Sequence, residues 1–170
     1  MGKVIFRIAN TNAELQQCFA IRHSVFVEEQ KMFEETDRDE FDNNAIHIAA
    51  INSDDGKVIS TVRCYQLSGG IWYGSRLAVP KEYRTHHSRI GVKLCKIAEI
   101  TVIERRAKRF LAYIQIQNVR YFKKLGWKKV DTPILHFGVQ HQLMEASLLG
   151  MTKKSENSAK KKIQPVYARS

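Results

Sequence analysis

Apolar positions along the chain change period several times, and each change marks an element. KVIFRIA (3–9) is a short apolar run of strand length. Residues 11–30 follow with Leu15, Cys18, Phe19, Arg22 and Phe26 at three- and four-residue steps, which predicts a helix with one largely apolar face. Thr11 or Asn10 can cap it, and Glu14 is placed for a capping box with Thr11. The acidic segment 31–43 is too polar to read as core. AIHIAAIN (45–52) and KVISTVRCYQL (57–67) flank an Asp-Gly step, the signal of a hairpin. SGG (68–70) makes the next turn, and IWYGSRLAV (71–79) gives a third strand of an antiparallel meander.

A basic loop, 80–89, leads to a helix predicted over 89–107, with Ser88 as cap. RFLAYIQIQ (109–117) has little polar content, as expected of a strand covered on both faces. NVRYFKKL (118–125) is a short helix that Gly126 stops, and the stretches WKKVD and ILHFGVQHQLMEASLL close the sheet. There is no internal repeat. The pattern predicts one α+β domain over 1–150 and a tail over 151–170.

Composition narrows the class. The chain has 170 residues, enough for one domain with a substantial core. No apolar run approaches the roughly 18 residues that span a bilayer, so no membrane partner is expected. No small-residue cleavage site follows the first apolar run, and a cytoplasmic protein is expected. Cys18, Cys64 and Cys95 are odd in number and sit among apolar neighbours, so buried thiols are expected rather than a disulfide or a metal site. His86 and His87 have no further ligand at metal spacing, and no metal is expected.

The net charge is +11. Residues 152–170 hold six basic residues and one acid, so much of the excess lies in a low-hydrophobicity tail that reads as disordered. Nucleic acid is expected only as a partner of that tail. The remaining positive charge suits an anionic ligand such as a phosphorylated cofactor.

The loop RLAV–PKEYRTHHSRIG carries the chemistry best. A strand feeds a basic loop, and the loop feeds a helix start whose N–H groups and dipole favour phosphate. Arg84 and Arg89 add charge, and Gly91 permits close backbone approach. His47 and His141 lie in strands and read as core or rim residues. Trp72, Tyr73 and Trp127 read first as packing.

These residues carry a resemblance. The strand LAV, then P-x-x-Y-R, then Gly91 at a helix start resembles the acyl-CoA motif of the GNAT N-acetyltransferase superfamily, Gln/Arg-x-x-Gly-x-Gly/Ala. Arg84 matches the leading arginine. The next two glycine positions hold His87 and Arg89, and only Gly91 supplies a glycine, with two extra residues in the loop. QIQNVRYFKKLGW (115–127) is similar to the later motif of that superfamily, where a strand parts from its neighbour and its edge takes the pantetheine arm. R-x-x-V-F-V-x-E-Q in the first helix, WYGSRLAV and HQLMEASL extend the likeness over about residues 5–149, in the manner of the nitrogen-starvation-associated branch.

The resemblance implies a mixed, mostly antiparallel twisted sheet, helices on both faces and splayed central strands. It implies acetyl transfer from acetyl-CoA to a small-molecule or peptidyl amine by direct attack on the thioester. A carboxylate or a water chain must take the amine proton. Leu77, Ala78 and Val79 would present backbone to the thioester. Arg84, Arg89, Ile90, Gly91 and Val92 would hold the pyrophosphate, and Asn118 and Phe122 the pantetheine. Phe122 stands where the superfamily often has a proton-donating Tyr, which leaves Tyr121 as the candidate acid and Glu29 as the candidate base. Arg22, Glu28 and Tyr73 are acceptor-side candidates, and the acidic segment 34–42 hints at a cationic substrate. A homodimer is compatible with the pattern.

Two alternatives stand beside this one. Arg22, Phe26, Met32–Phe33, Asp37, Asp39, Asp42 and Arg63 follow the order of acyl-homoserine-lactone synthases, which use S-adenosylmethionine and an acyl thioester. A non-catalytic coenzyme A-binding module, or one that meets a partner or RNA through its tail, is the other.

Overall fold

The computed structural model describes residues 2–85 and 87–148, so the tail, and the disorder expected of it, lies outside the described residues. Eight strands form one sheet: β1 (Val4–Ile8), β2 (Ile46–Asn52), β3 (Val58–Gln66), β4 (Ile71–Ala78), β5 (Arg109–Gln115), β6 (Lys128–Lys129), β7 (Ile134–His136) and β8 (Val139–Glu145). Their order is β1-β2-β3-β4-β5-β8-β6, with β7 also paired to β8. The expected meander is β2-β3-β4, and its members pair antiparallel. β4 and β5 run parallel because a helix, α2 (Ile90–Glu104), carries the chain back between them.

Helices cover both faces. In β2, Ile48 and Ala50 face α2, together with Leu94, Ala98 and Val102. Ala49 and Ile51 face the other way and pack on Cys18 of α1 (Asn12–Arg22). Both pleat faces are dry, so AIHIAAIN reads as an apolar run rather than an alternation. The three cysteines are buried and unpaired.

Three local features differ from the expectation. Thr11 accepts the Glu14 N–H at 3.1 Å as a cap should. The Glu14 carboxylate, however, accepts the Asn10 N–H at 3.1 Å and pairs with Arg7 instead of closing the box on Thr11. After Arg22 the winding widens into a π-helix over His23–Glu29. Ser88 does not cap α2: its hydroxyl donates to Tyr83 O at 2.6 Å and holds the loop closed. Arg89 occupies the cap position with φ +47, and among the described residues no side chain caps the helix.

The stop at Gly126 is as expected. Trp127 N–H donates to Phe122 O and Gly126 N–H to Lys123 O, the Schellman pair that ends α3 (Val119–Lys124). Gly126 takes φ +93, where a side chain would be strained. Trp127 folds back onto the core, and its indole N–H donates to buried Glu99 at 2.8 Å.

Candidate active site

β4 and β5 pair only where they begin. Among the described residues their ladder runs from Ile71–Arg109 to Tyr73–Leu111 and stops, although β4 continues to Ala78 and β5 to Gln115. On its other side β4 carries a bulge. Its register with β3 shifts between Ser75 and Ala78, and Arg76 takes φ +53. A twisted sheet with a bulge on one strand and a helical turn (Ile116–Asn118) on the other opens as a V. A cavity of about 280 Å³ fills the V, lined by Ser75, Arg76 and Leu77 from one arm and Ile114, Gln115 and Asn118 from the other. Phe122 and Trp127 form its base. The Asn118 side chain caps nothing, although Asn118 opens α3.

At one end of the V lies the start of α2. Arg89 is exposed there, and its side chain makes no hydrogen bond or ion pair among the described residues. Ile90, Gly91 and Val92 make the first turn. Ile90's side chain is buried in the core, so only its backbone is available. A Cβ at Gly91 would sit 3.7 Å from Val79 Cγ2 and 3.9 Å from the Tyr121 hydroxyl, so the Tyr121 hydroxyl belongs to this end. Burial raises the Tyr121 pKa. Tyr121, the expected acid, therefore stands beside the helix start and not among the residues lining the cavity.

Arg84 is engaged elsewhere. Its Nε donates to Val79 O at 2.6 Å, and its two Nη donate to Glu29 at 2.6 and 3.0 Å. The guanidinium ties the loop to the end of the π-helix, so the side chain expected on the pyrophosphate already has a partner. Glu29, the expected base, is the partner: the Arg84 hydrogen bonds hold its carboxyl below the usual range. Glu28 and Glu29 line a separate cleft with Pro80 and Glu82 rather than the V. Ala78 is buried against Val25 and Phe26, and its carbonyl accepts the Ser60 hydroxyl at 2.7 Å.

The other end of the V is built from side chains. Arg22 is fully buried, which corrects its expected contact with substrate. It donates to Asp37 at 2.7 Å and to Asp42 at 2.6 and 3.0 Å. Arg63 holds Asp39 at 2.5 and 3.0 Å, and Arg76 reaches Asp37 at 3.1 Å and Asp39 at 3.3 Å. Burial alone would raise the Asp42 carboxyl; hydrogen bonds from Arg22 and the Asp39 N–H outweigh it and hold the group well below the usual range. These arginines neutralise the aspartates of the acidic segment. The aspartates of the segment form a clamp, while Glu34, Glu35 and Glu40 stay exposed on its outer side.

Aromatic rings continue this wall. Tyr65, Tyr73 and Tyr113 stack across β3, β4 and β5 at 5.9 and 6.2 Å, with Phe41 on one flank and His136 on the other. Tyr73, an expected acceptor-side residue, stands in the middle of the row. His136 and Phe137 had no part in the expectation. The stretch ILHFGVQHQLMEASLL (134–149) reads as closing strand, yet its described part is a hairpin that turns at Phe137–Gly138, with φ +50 and +71. The signal was Gly138 between two strand-like runs. Among the described residues no cluster of three His, Cys, Asp or Glu is arranged for a metal, and no helix is long and apolar enough to cross a membrane.

A sheet opened between two parallel strands, with a helix start at one end of the opening, defines the fold class of the acyl-CoA N-acyltransferases. A family model for the acetyltransferase (GNAT) domain matches residues 21–71. The uncharacterized N-acetyltransferase YjcF of Bacillus subtilis is 28% identical over 138 residues, covering 81% of this chain and 95% of the relative. An acyl-CoA N-acyltransferase from Pseudomonas aeruginosa superposes with a TM-score of 0.73 at 20% identity, over 85% of this chain and all of that one. The CoA-dependent acyl-homoserine lactone synthase BjaI, solved with SAM and isopentyl-CoA, superposes with a TM-score of 0.70 at 15% identity, over 90% of this chain and 89% of that one. The family match over residues 21–71 and the curated relatives support membership of the GNAT acetyltransferase superfamily.

Proposed function

We propose that the protein transfers an acetyl group from acetyl-CoA to the amine of a small molecule or peptide. The observation that carries this reading is the V between β4 and β5 with a cavity inside it. The pantetheine arm would lie along the freed edge of β5, with the Asn118 amide as hydrogen-bond partner. The pyrophosphate would sit at the start of α2, on the backbone of Ile90, Gly91 and Val92, with Arg89 beside it. The thioester carbonyl would meet the unpaired backbone of the bulge at Arg76–Leu77, where N–H groups can stabilise charge as it grows. Residues 1–150 would be the catalytic domain, with 151–170 as a basic appendage, working in the cytoplasm.

Attack requires a neutral amine, so the reaction needs a group that accepts a proton. Calorimetry with acetyl-CoA tests the reading. Micromolar to millimolar binding is expected, and no binding at millimolar concentration overturns it.

One observation favours a second reading. The clamp joins Arg22, Asp37, Asp39, Asp42 and Arg63, the charged residues of the lactone-synthase order, together with Arg76, and the fold matches BjaI. A chain that binds S-adenosylmethionine and not acetyl-CoA would be a synthase-like enzyme. A chain that binds acetyl-CoA yet acetylates no amine in a broad panel would be a coenzyme-binding module.

A further inference from the structure

The hairpin turn after β7 carries an imidazole across the mouth of the V. On one side the His136 ring stacks on Tyr113 of β5, 5.3 Å between centroids. On the other side the neighbouring Phe137 ring lies 5.6 Å from the Arg76 guanidinium carbon, at the bulge of β4, and 4.6 Å from Phe33. Two adjacent residues therefore bridge the two splayed strands, and both line the cavity. Phe137 holds a left-handed backbone that a bulky residue rarely adopts. Strain of that kind persists where surrounding contacts fix it, and here they fix the position of His136.

We propose that His136 is the catalytic base that takes the proton of the attacking amine. The inference rests on the acetyl-transfer reading and supplies the acceptor that reading lacks. Other candidates in the cavity are engaged. Asp39 accepts from Arg63 and Arg76. Burial pushes the Cys95 thiol up to about 12 and raises the Tyr65 and Tyr73 hydroxyls. His141 is buried, and its Nδ1 lies 2.8 Å from Val139 O, so that nitrogen carries a proton and donates. His136 is only half-buried, and its ring makes no hydrogen bond among the described residues.

The groups around His136 keep it neutral. Tyr113 faces it from β5, His141 from β8 and Arg76 from β4, with Asp39 behind Arg76. Burial, then His141 and Arg76, lower its pKa from the ordinary value. A neutral imidazole offers a lone pair at pH 7.

The step balances without another reactant. The amine nitrogen attacks the thioester carbonyl carbon, and a C–N bond forms. One proton passes from that nitrogen to His136 as the tetrahedral intermediate collapses and the C–S bond breaks. The imidazolium then returns the proton to the departing thiolate, directly or through water. A separate acid is not required, which fits Phe122 in the place of a tyrosine.

The test compares wild type with His136→Gln and His136→Ala. Acetyl-CoA binding is measured by calorimetry, and acetyl transfer to methylamine is followed from pH 5.5 to 9 as a rate per neutral amine. The wild-type rate is expected to fall at low pH with one titration. Both variants are expected to bind acetyl-CoA as wild type does, to lose the low-pH limb and to be slower by about 100-fold or more. Added imidazole should restore rate to His136→Ala, which a purely structural role would not allow. An unchanged rate and pH limb in His136→Gln overturns the proposal, and so does a wild type that binds acetyl-CoA and consumes none with methylamine. A wild type that binds no acetyl-CoA fails at the earlier step and overturns the acetyl-transfer reading itself.

Discussion

At the start of α2 the chain offers backbone: a helix opening that no described side chain caps, a glycine in its first turn and one exposed arginine. At the opposite end of the V it offers side chains drawn from the first helix, the acidic segment, three strands and the β7–β8 turn. The first end is local and open to water. The second is assembled from residues far apart in sequence and held by buried charge pairs. A phosphate needs a few aligned N–H groups and some positive charge, which one turn can supply. An acceptor site needs shape, and here shape depends on the whole fold. The two ends should therefore fail differently when they are cut.

The largest effect is expected at the clamp. Arg22→Ala leaves Asp37 and Asp42 buried, the first without its closest charge partner and the second with Arg63 at 3.0 Å as its remaining arginine. Removing one partner of a buried pair costs about 3–5 kcal/mol, so the thermal midpoint should drop steeply. A loss under about 1 kcal/mol in urea titration would mean that the clamp is not a stabilising unit. Replacing Arg22 by Met together with Asp42 by Leu should recover part of the loss, because no charge is then left opposite the gap.

The same clamp sets an acid limit. The folded Asp42 pKa lies below the unfolded value, so its contribution is complete above the ordinary Asp pKa of about 3.9 and declines as pH falls below it. Stability should decline below about pH 4 in wild type, and less so in the Arg22-to-Met, Asp42-to-Leu double variant.

The contrast also explains what could be read from residues alone. The periodic elements, the meander, the glycine stop at 126 and the position of the V follow from local pattern and a run of motifs. The helix start at 90–92 was legible because a basic loop feeding a helix is itself a local pattern. Arg22 was misplaced because an arginine on an apolar helix face looks like a reaching side chain, and only the fold brings Asp37 and Asp42 to it. Arg84 and Glu29 stand 55 residues apart and meet through tertiary packing. His136 had no motif around it; its place at the cavity depends on a hairpin turn far from β4 and β5 in sequence.

A smaller effect is expected at Gly91. A methyl group there clears its protein neighbours at 3.7 and 3.9 Å, so Gly91→Ala should fold normally. Its helix should be stabilised by up to about 0.5–1 kcal/mol, since alanine is the better helix former. The methyl would stand where the coenzyme phosphate approaches. A loss of about tenfold in acetyl-CoA affinity, about 1.4 kcal/mol, is expected by calorimetry. Unchanged affinity would move the phosphate away from this turn and break the comparison at its open end.

The finest distinction lies between two arginines of one loop. Arg89 is exposed beside the helix start, and Arg84 already bonds Val79 O and Glu29. Arg89→Ala should cost about 1 kcal/mol of coenzyme affinity, more at low salt than at high, because an exposed charge is screened. Arg84→Ala should leave the affinity nearly unchanged and lower stability by less than about 1 kcal/mol, the range of a half-exposed ion pair. Should Arg84→Ala instead weaken acetyl-CoA as much as Arg89→Ala does, the Glu29 pair must open when coenzyme arrives. The loop would then be a latch released by the phosphate, and Glu29, freed from its partner, would become a carboxylate that a bound ligand exposes.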